Sequence, residues 1–549
     1  MKKHQDELVF LPLGGSGEIG MNFNAYGYGP EHDRKWIIVD CGVMFGKETV
    51  TPGVDVIMPD IRYLAERRDN ILGIVATHAH EDHIGAIAHL WPMLKCPVYA
   101  TPFTARIVEG KLEEAGIANK VKLREVQVGG TLTLGPFTLD FISITHSILE
   151  PNLLAIRTPL GVVAHTGDWK LDPDPLLGEK TDEAAIAKLG DEGVLAMVCD
   201  STNALNPGSS GSEKGVRDNL ISLVGTLKGR VAVAAFASNV ARLDSAARAA
   251  KANGRRLCLV GRSMHKMVDA ARETGYLRDL PPIASEEDAA DLPPHKVLYL
   301  VTGSQGEPRA ALSRIAEDNH PGVEMESGDT VIFSSRIIPG NELGIFALQN
   351  KLAARGIEIL TADDHDVHVS GHPARDELSQ MYRWLRPKIA IPVHGEIRHM
   401  TEHARLAKSL QVPQAFVPRN GQLFRLAPGR AELIDEVPSG QVHMDGRVLV
   451  SEGEGLAKDR RGLGFAGIIV ITLVLDAKGR QAAPPVIVTE GMPEPVEEAV
   501  RATVEEHIAR AGKRVGADEL AETVRRAARR KANDAWGKKP ITHVNVVEI

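Results

Sequence analysis

A short segment that follows an apolar run limits what this chain can fold into. The run ILGIVA ends at residue 76, and residues 78–83, HAHEDH, then carry three histidines and two carboxylates. Such a crowd is destabilising unless a cation neutralises it, and imidazole and carboxylate are the groups that hold zinc or manganese in hydrolytic sites. A histidine-rich surface loop is the alternative. The complete HxHxDH spacing is specific, and it favours a metal site.

Other apolar runs between residues 5 and 200 end in the same way. A histidine or an aspartate stands at the carboxyl end of the runs that finish at Asp40, His146, Asp168 and Asp200. The alternation of short apolar runs with turns and helical segments indicates an α/β protein. Ligands of open α/β proteins bind where strand ends meet loops, so these side chains are expected near the same site.

The HAHEDH segment has enough ligands for two ions. In an extended loop His78 and His80 can point the same way, whereas Asp82 and His83 stand at the start of the next helix and aim at a neighbouring position. This one stretch can therefore serve two divalent cations. Neither the ligand types nor their spacing separates zinc from manganese.

Length and composition exclude several classes of protein. A chain of 549 residues is expected to form two to four domains, and no stretch approaches the roughly 18 apolar residues of a membrane helix. The net charge of −8 argues against bulk attraction to nucleic acid but permits a local basic groove. The four cysteines are scattered without a CxxC pair, and the N-terminus has no secretion signal, so a reducing, cytoplasmic location is expected.

The order of these motifs resembles that of the metallo-β-lactamase superfamily: a strand-end Asp, HxHxDH, His, Asp and a late His. The resemblance implies one ion on His78, His80 and His146, and a second ion on Asp82, His83 and His394. Asp168 would bridge the two ions, and Asp40 would orient ligands from outside the ligand set.

The gap before the last of these histidines indicates a large insertion. His394 follows Asp168 by 226 positions, far more than one βα unit. With CDST before the insertion, HVSGH after it and PVHGE at the end, the arrangement resembles the β-CASP nucleases. Within them the chain is most similar to the bacterial ribonuclease J family, over about residues 8–450. The motifs are GGSGEIGMN, THAHEDHIGA, HTGD, VTGSQGEPRAAL, SSRIIPGNE, VHVSGH and PVHGEIRH.

The resemblance implies a metallo-β-lactamase αββα sandwich with an inserted β-CASP α/β domain and a small C-terminal α/β domain. The expected ranges are 1–205 and 368–430 for the sandwich, 206–367 for the β-CASP domain, 431–455 for a linker and 456–549 for a C-terminal oligomerisation domain. In that domain IIVITLVL and APPVIVTEG are expected to form a hairpin. Its uncovered strand edges favour self-association as a homodimer or homotetramer.

The residues also suggest a mechanism for cleaving RNA. Two adjacent cations can activate a water and clamp a phosphate that undergoes in-line attack. His372 of HVSGH is the candidate general acid for the leaving oxygen, Asp200 would orient it, and with Asp82 they form the expected catalytic set. An outer hydrogen bond is the alternative role for His372, and an N-cap is the alternative for Asp200.

Turns of small residues after several strands predict contacts with RNA phosphates. Backbone N–H groups in such turns bind anions, although simple chain reversal is the alternative. The resemblance would make this a pocket for a 5′-monophosphate, with His368 and Ser370 facing the scissile phosphate. The candidate pocket residues are Ser238, Asn239, Arg262, Ser263, Gly303 and Ser304.

A histidine, a glycine-rich segment and a group of arginines are expected to lie outside the catalytic set. His165 is expected either to face inward or to lie just outside the ligand set, and not to be a ligand. GGSGEIG is expected to form a turn at the edge of the site and not a dinucleotide loop. Arginines lie at helical spacing near the C-terminus and are expected to form a solvated face, with RNA contact as the alternative. These are Arg525, Arg526, Arg529 and Arg530.

The resemblance implies a 5′-to-3′ exonuclease that prefers 5′-monophosphate RNA, with endonuclease cleavage as a second mode. Single-stranded RNA and proteins of RNA decay are the expected partners, and no membrane is expected. One alternative is a hydrolase of the same fold that acts on DNA or on a small thioester or lactam. Another is an RNA-binding scaffold without metals, against which the intact His and Asp set argues.

Overall fold

The computed structural model describes residues 5–47, 49–510 and 516–549. The chain divides into two compact units, one built from residues up to 44 and from 58 to 440, the other from 45 to 57 and from 441 onward. Among the residues described, none of the helices has the length and apolar character needed to span a membrane.

The first two hundred residues are rich in strands. The strands are β1 (Glu7–Gly14), β2 (Ser16–Gly17), β3 (Phe23–Gly29), β4 (Lys35–Val39), β5 (Met44–Phe45), β6 (Val56–Pro59), β7 (Ile71–Val75), β8 (Val98–Ala100), β9 (Leu123–Glu125), β10 (Thr131–Leu134), β11 (Phe137–Ser143), β12 (Asn152–Thr158), β13 (Gly161–His165) and β14 (Ala196–Asp200). The helices are α1 (Arg62–Ala65), α2 (Glu81–Ile84), α3 (Ile87–Leu94), α4 (Pro102–Glu114) and α5 (Glu183–Glu192).

Helices and strands then alternate up to residue 360. They are α6 (Glu213–Thr226), β15 (Val231–Ala234), α7 (Val240–Ala252), β16 (Arg256–Val260), α8 (Arg262–Glu273), β17 (Ile283–Ala284), α9 (Glu286–Ala290), β18 (Val297–Val301), α10 (Ala311–Ala316), β19 (Thr330–Phe333), α11 (Glu342–Ala354) and β20 (Glu358–Leu360).

The remaining elements complete both units. Those of the first unit are α12 (Arg375–Leu385), β21 (Ile389–Val393), β22 (Gly395–Glu396), α13 (Ile397–Ser409), β23 (Gln414–Ala415), β24 (Gln422–Ala427) and β25 (Glu432–Glu436). Those of the second unit are β26 (Gln441–Asp445), β27 (Val448–Ser451), α14 (Leu456–Ala466), β28 (Ile468–Leu475), β29 (Gln481–Glu490), α15 (Glu494–Arg510), α16 (Ala517–Trp536) and β30 (Ile541–Glu548).

Two large sheets pack face to face in the first unit. Their strand orders are β25-β24-β1-β3-β4-β7-β8-β9 and β10-β11-β12-β13-β14-β21-β23. Tyr26 and Val39 from one sheet and Phe141 and Ile391 from the other belong to one shared core. Met381 of α12 belongs to a second core on the outer face of the second sheet. The αββα sandwich expected from the sequence is confirmed.

The insertion forms a parallel sheet of its own, in the order β17-β16-β18-β15-β19-β20. Its strands are apolar almost throughout because helices cover both faces of a parallel sheet. The neighbouring strands β16, β18, β15 and β19 all end at the same edge. The turns of small residues predicted to bind phosphate therefore lie side by side along that edge.

The chain returns to the sandwich beside the strand from which it left. Strand β21 pairs with β14 in parallel, so that Val393 is the partner of Asp200. This pairing explains how a late histidine can reach ligands far earlier in the sequence, because His394 directly follows Val393. Despite the long insertion, the carboxyl ends of β14 and β21 therefore lie side by side in the sheet.

The segment predicted as a linker, 431–455, contains short strands. Strand β25 pairs with β24 through Leu433 and Phe424, and β26 pairs with β27. In the C-terminal part, β28 and β29 form the expected hairpin and β30 pairs with β28 in parallel. Helices α15 and α16 pack on this sheet, where Val500 and Val524 join Ile471 in one core.

Candidate metal centre and active site

Asp40 holds the loop that carries the HxHxDH motif. It stands directly after β4 with a φ of +65°. Its carboxylate accepts hydrogen bonds from the Thr77 backbone N–H at 2.7 Å and from the Thr77 hydroxyl at 2.9 Å, and it lies 2.7 Å from His83 Nδ1. A carboxylate on Nδ1 leaves Nε2 of His83 directed at the site, which is the orienting role expected of Asp40.

A close backbone approach also fixes this loop. The N–H groups of Cys41 and Val43 donate to the carbonyl oxygens of His83 and Glu81, at 2.7 and 3.1 Å. A Cβ atom added to Gly42 would lie 1.7 Å from the carbonyl oxygen of Asp82. Only glycine fits at this position, and nothing in the sequence pattern of the loop had singled it out.

Four residues gather their ligand atoms in a first group, His78, His80, His146 and Asp168, within 4.8 Å of one another. His80 Nδ1 lies 3.1 Å from both His78 Nε2 and His146 Nε2. Asp168 Oδ2 is 3.9 Å from His78 Nε2 and 3.8 Å from His146 Nε2. Three imidazoles and one carboxylate thus point at one position.

A second group shares the same aspartate and adds Asp82, His83 and His394. Asp168 Oδ2 lies 3.1 Å from His83 Nε2 and 3.2 Å from His394 Nε2. Asp82 Oδ2 lies 3.6 Å from each of those two nitrogens. The structure therefore brings all seven expected ligands together in two adjacent groups with Asp168 in both.

The donor chemistry of the site fits divalent cations. Burial lowers the pKa of His80 to about 4, so its ring is neutral and has a lone pair to offer. Burial alone would raise the pKa of Asp168, but the adjacent His394 and His83 hold it well below its usual value. Asp168 Oδ1 is buried and has no hydrogen-bond partner among the described residues. An ionised, incompletely satisfied carboxylate beside the neutral imidazole of His80 is the environment that a cation completes.

His372 and Asp200 lie beside these two groups and form a third group of possible ligand atoms with Asp168 and His394. His372 Nδ1 lies 2.8 Å from Asp200 Oδ2 and 3.8 Å from Asp168 Oδ2. Burial would lower the pKa of His372, but the charge and hydrogen bond of Asp200 raise it above its usual value. Asp200 Oδ1 also accepts a hydrogen bond from the Thr202 backbone N–H at 2.8 Å, so this carboxylate contacts both His372 and the turn that follows β14.

The segment 367–372 is attached to the metal ligands and to the strand end. The Gly371 carbonyl oxygen accepts a hydrogen bond from His146 Nδ1. Asn203 Nδ2 donates to Ser370 Oγ at 2.7 Å and to the His372 carbonyl oxygen at 3.0 Å. The position of His372 is therefore coupled to that of the first ligand group.

Asn22 was missed by the sequence reasoning. Its Nδ2 lies 3.0 Å from His83 Nε2 and 3.0 Å from His394 Nδ1. The GGSGEIGMN segment reaches the site because β2 pairs with β22, which places Ser16 opposite Gly395. This segment was expected at the edge of the site, and the polar residue that ends it was the available signal.

His165 belongs to neither ligand group. Its Nδ1 lies 2.9 Å from the Tyr26 hydroxyl, inside the sandwich.

Near the C-terminus, Glu522 accepts hydrogen bonds from Arg525 and Arg526. That pairing within one helix is typical of a solvated helix face.

The expected phosphate-binding residues differ in how they are placed. Ser238 follows β15, Arg262 and Ser263 begin α8 after β16, and Gly303 and Ser304 follow β18. Asn239 is engaged within the protein: its Oδ1 accepts from the Arg242 backbone N–H at 2.9 Å as the N-cap of α7, and its Nδ2 donates to Glu213 Oε1 at 3.2 Å. His368 Nδ1 is buried and has no partner among the described residues.

Family models cover most of the chain. The metallo-β-lactamase superfamily matches residues 24–223, the ribonuclease J β-CASP domain 228–352, the Zn-dependent metallo-hydrolase RNA specificity domain 357–418 and the ribonuclease J C-terminal domain 456–549. Together with the site, these matches define a metal-dependent, RNA-binding nuclease of the β-CASP group.

The chain belongs to the ribonuclease J family. It is 47% identical to ribonuclease J of Sinorhizobium meliloti over 100% of this chain and 99% of that protein. It is 39% identical to ribonuclease J of Thermus thermophilus over 85% of this chain and 82% of that protein, and 38% identical to ribonuclease J of Mycolicibacterium smegmatis over 98% and 96%. The chain is therefore a metal-dependent ribonuclease, and the two alternatives, a hydrolase of DNA or of a small thioester or lactam and a metal-free scaffold, are set aside.

A solved structure supports the fold alone. A protein of unknown function from Enterococcus faecalis superimposes with a TM-score of 0.52 at 15% identity, over 76% of this chain and 99% of that protein.

Proposed function

We propose that this ribonuclease holds two divalent cations and degrades single-stranded RNA from the 5′ end, preferring a 5′-monophosphate, with internal cleavage as a second mode. One observation carries the proposal: Asp168 Oδ2 lies between two groups of ligand atoms and 3.8 Å from His372. A shared carboxylate between adjacent ligand groups is the arrangement of two-metal hydrolases.

Zinc is the proposed cation, with manganese as the alternative. The first group offers three imidazoles and the second offers two, and imidazole suits zinc well. Bound at these groups, the cations would supply Lewis-acid charge that polarises the scissile phosphate and makes a nearby water more acidic. Asp168 would bridge them. Asp40 and Asn22 would hold the imidazole rings of His83 and His394 in their orientations.

His372 is the proposed proton donor. A departing 3′ oxygen needs a proton, and a carboxylate that raises the pKa of a histidine lets the ring keep its proton to a higher pH than an ordinary histidine does. Asp200 would hold Nδ1 so that Nε2 faces the leaving oxygen. The hydrogen bonds of Asn203 would keep Ser370, the proposed contact to the scissile phosphate, beside His372.

The edge of the inserted sheet is the proposed pocket for the 5′-monophosphate. Ser238, Arg262, Ser263, Gly303 and Ser304 belong to turns after neighbouring strands. Arg262 is exposed at the first turn of α8, where the N-terminal backbone N–H groups also favour an anion. Asn239 is left out of this pocket because its side chain caps α7.

The 5′ preference can be tested with matched RNAs. We expect RNA that carries a 5′-monophosphate to release mononucleotides at least about ten times faster than the same RNA with a 5′-hydroxyl, because charge-assisted hydrogen bonds to a terminal phosphate are strong. Arg262→Gln should reduce that ratio, whereas Arg256→Gln, at the opposite edge of the same sheet, should keep it. Equal rates on both RNAs with the zinc-loaded or manganese-loaded wild type would refute the preference.

We also propose that the protein assembles as a dimer or tetramer through its C-terminal sheet. The helices cover one face of β28, whereas Val486 and Val488 of β29 are 58% and 50% exposed on the other face. Val488 pairs with Val470 in the hairpin, which extends the apolar strip. Such a strip favours burial against a second sheet.

The assembly prediction concerns subunit number. The double variant Val486→Asp/Val488→Asp is expected to dissociate into smaller species in light scattering, because two buried, unpaired charges oppose the contact. Glu519→Lys, at an exposed position of α16, which packs on the opposite face of the sheet, serves as the control for a charge change. An unchanged mass of the double variant would contradict this use of the sheet.

The proposed setting is the cytoplasm, in RNA maturation and decay alongside other proteins of that process. All four cysteines are buried and free, which suits a reducing compartment.

A further inference from the structure

The positive charges of three side chains act on His368, in the segment that leads to His372. Burial lowers the pKa of His368 to about 3, and the positive charges of Arg242, Arg336 and Lys170 lower it in the same direction. A neutral histidine in a positive environment marks a place where an anion would be favoured.

Two of these cations are already neutralised. Arg242 is fully buried and its Nη2 lies 2.9 Å from Glu213 Oε1. Lys170 is also buried, and its Nζ lies 3.2 Å from Asp172 Oδ2. Arg242 further donates to the Val367 carbonyl oxygen at 3.0 Å, so its guanidinium serves to hold this segment. Neither cation is free to meet a ligand.

Arg336 differs from both. It is exposed, and none of the carboxylates in the described parts of the chain comes within 4.0 Å of its guanidinium. Its Nη1 donates to Asn203 Oδ1, an uncharged acceptor. The cluster therefore keeps one uncompensated positive charge, and that charge faces solvent.

The loop that carries Arg336 is held in place by a buried glutamine. Gln305 Nε2 donates to the Arg336 carbonyl oxygen at 2.8 Å, and Gln305 Oε1 accepts from the Ile338 backbone N–H at 2.9 Å. Gln305 is 6% exposed and comes from the turn after β18. The guanidinium is thus presented by a fixed backbone, which lowers the entropy cost of binding.

Hydrogen bonds through Asn203 connect Arg336 to the proposed proton donor. The amide of Asn203 that accepts from Arg336 also donates to Ser370 Oγ and to the His372 carbonyl oxygen. Arg336 is therefore one residue removed from the proposed proton donor. It belongs to the turn after β19, whereas the proposed 5′-phosphate pocket belongs to the turns after β15, β16 and β18.

We propose that Arg336 is a substrate-binding residue that grips a phosphodiester of the RNA chain next to the scissile bond. Arginine suits this task because its planar fork donates two parallel hydrogen bonds to phosphate oxygens. The inference rests on the proposed function for the location of the scissile bond. The ligand is an internal phosphodiester and not the 5′ end, so the effect of Arg336 is the same on RNAs with either 5′ group.

The test compares Arg336→Gln, Arg336→Lys and the control Arg256→Gln in the full-length, metal-loaded enzyme. Single-stranded RNA with a 5′-monophosphate or a 5′-hydroxyl is cleaved at several salt concentrations. Arg336→Gln is expected to raise KM about ten-fold or more on both RNAs. The slope of log(kcat/KM) against log[salt] should become shallower by about 0.7, the value for one lost phosphate contact on a single strand.

The two other variants separate charge from geometry. Arg336→Lys should keep the wild-type salt slope and raise KM by a smaller factor, because it retains the charge but loses the fork. Arg256→Gln should leave both quantities unchanged. Metal content should equal that of the wild type in all three variants.

Two outcomes would overturn the inference. A fall in kcat with unchanged KM and salt slope would show that Arg336 acts only by holding Asn203 and His372. A KM effect confined to 5′-monophosphate RNA would place it in the end-binding pocket. A failure of the proposed function is distinguishable from both outcomes, because the wild-type enzyme would then cleave the two RNAs at equal rates.

Discussion

Replacing Asp168 by asparagine is expected to lower kcat on RNA by about 10⁴-fold or more and to remove most of the bound metal. The substitution keeps the shape of the side chain but removes the charge that both ligand groups share. Metal catalysis supplies several kcal/mol of transition-state stabilisation, and each 1.36 kcal/mol corresponds to about a factor of ten in rate. Single-turnover cleavage and elemental analysis of the same preparation measure both effects.

Asp174→Asn is the matched control for that experiment. Asp174 is exposed, lies six positions further along the chain and belongs to neither ligand group. It should keep the metal content and the rate of the wild type. An Asp168→Asn enzyme with full metal content and a rate within ten-fold of the wild type would refute the bridging role.

Replacing His372 by glutamine is expected to lower kcat on RNA by about 10²- to 10⁴-fold, the usual contribution of general acid catalysis. Metal content should stay at the wild-type level because His372 belongs only to a third group of possible ligand atoms, with Asp168, Asp200 and His394, and its Nδ1 there is engaged by Asp200 at 2.8 Å. His295→Gln, an exposed histidine on the inserted domain, is the control.

A second substrate separates proton donation from positioning. Nitrophenolate leaves without a proton, so His372→Gln should lose less than about ten-fold on bis(p-nitrophenyl) phosphate, because the step that needs the acid is absent. Equal losses on RNA and on the nitrophenyl ester would contradict the role of proton donor. Loss of metal from the variant would contradict it as well.

The parts of the site that lie close together in sequence were predictable. Four of the ligands lie within six consecutive residues: His78, His80, Asp82 and His83. Their spacing alone indicates that they point toward two neighbouring metal positions. His394 lies 226 positions after Asp168, and no local pattern joins them. The resemblance to a family supplied that link, and the parallel pairing of β14 with β21 explains it physically.

Contacts made across the fold were not predictable from one sequence. Asn22 reaches His83 and His394 only after β2 and β22 pair. The restriction at Gly42 comes from a backbone approach to Asp82 that is far away in sequence. Such contacts depend on tertiary packing, which periodicity and motif spacing do not encode.

For Asn239 the local sequence pattern predicted a role that the structure does not support. A polar residue in a turn of small residues predicts a phosphate contact, but the same residue is also among the best N-caps. In this fold the cap of α7 uses its carbonyl oxygen and Glu213 uses its amide. Helix initiation therefore competes with ligand binding for the same side chain, and the sequence of the turn does not distinguish them.

The central claim is that Asp168 stands between two bound cations. Anomalous X-ray diffraction at the zinc absorption edge, on crystals of the zinc-loaded protein, tests it most directly. We predict two anomalous peaks per chain, one among His78, His80 and His146 and one among Asp82, His83 and His394, with Asp168 in contact with both. A single peak, or two peaks without Asp168 between them, would contradict the account.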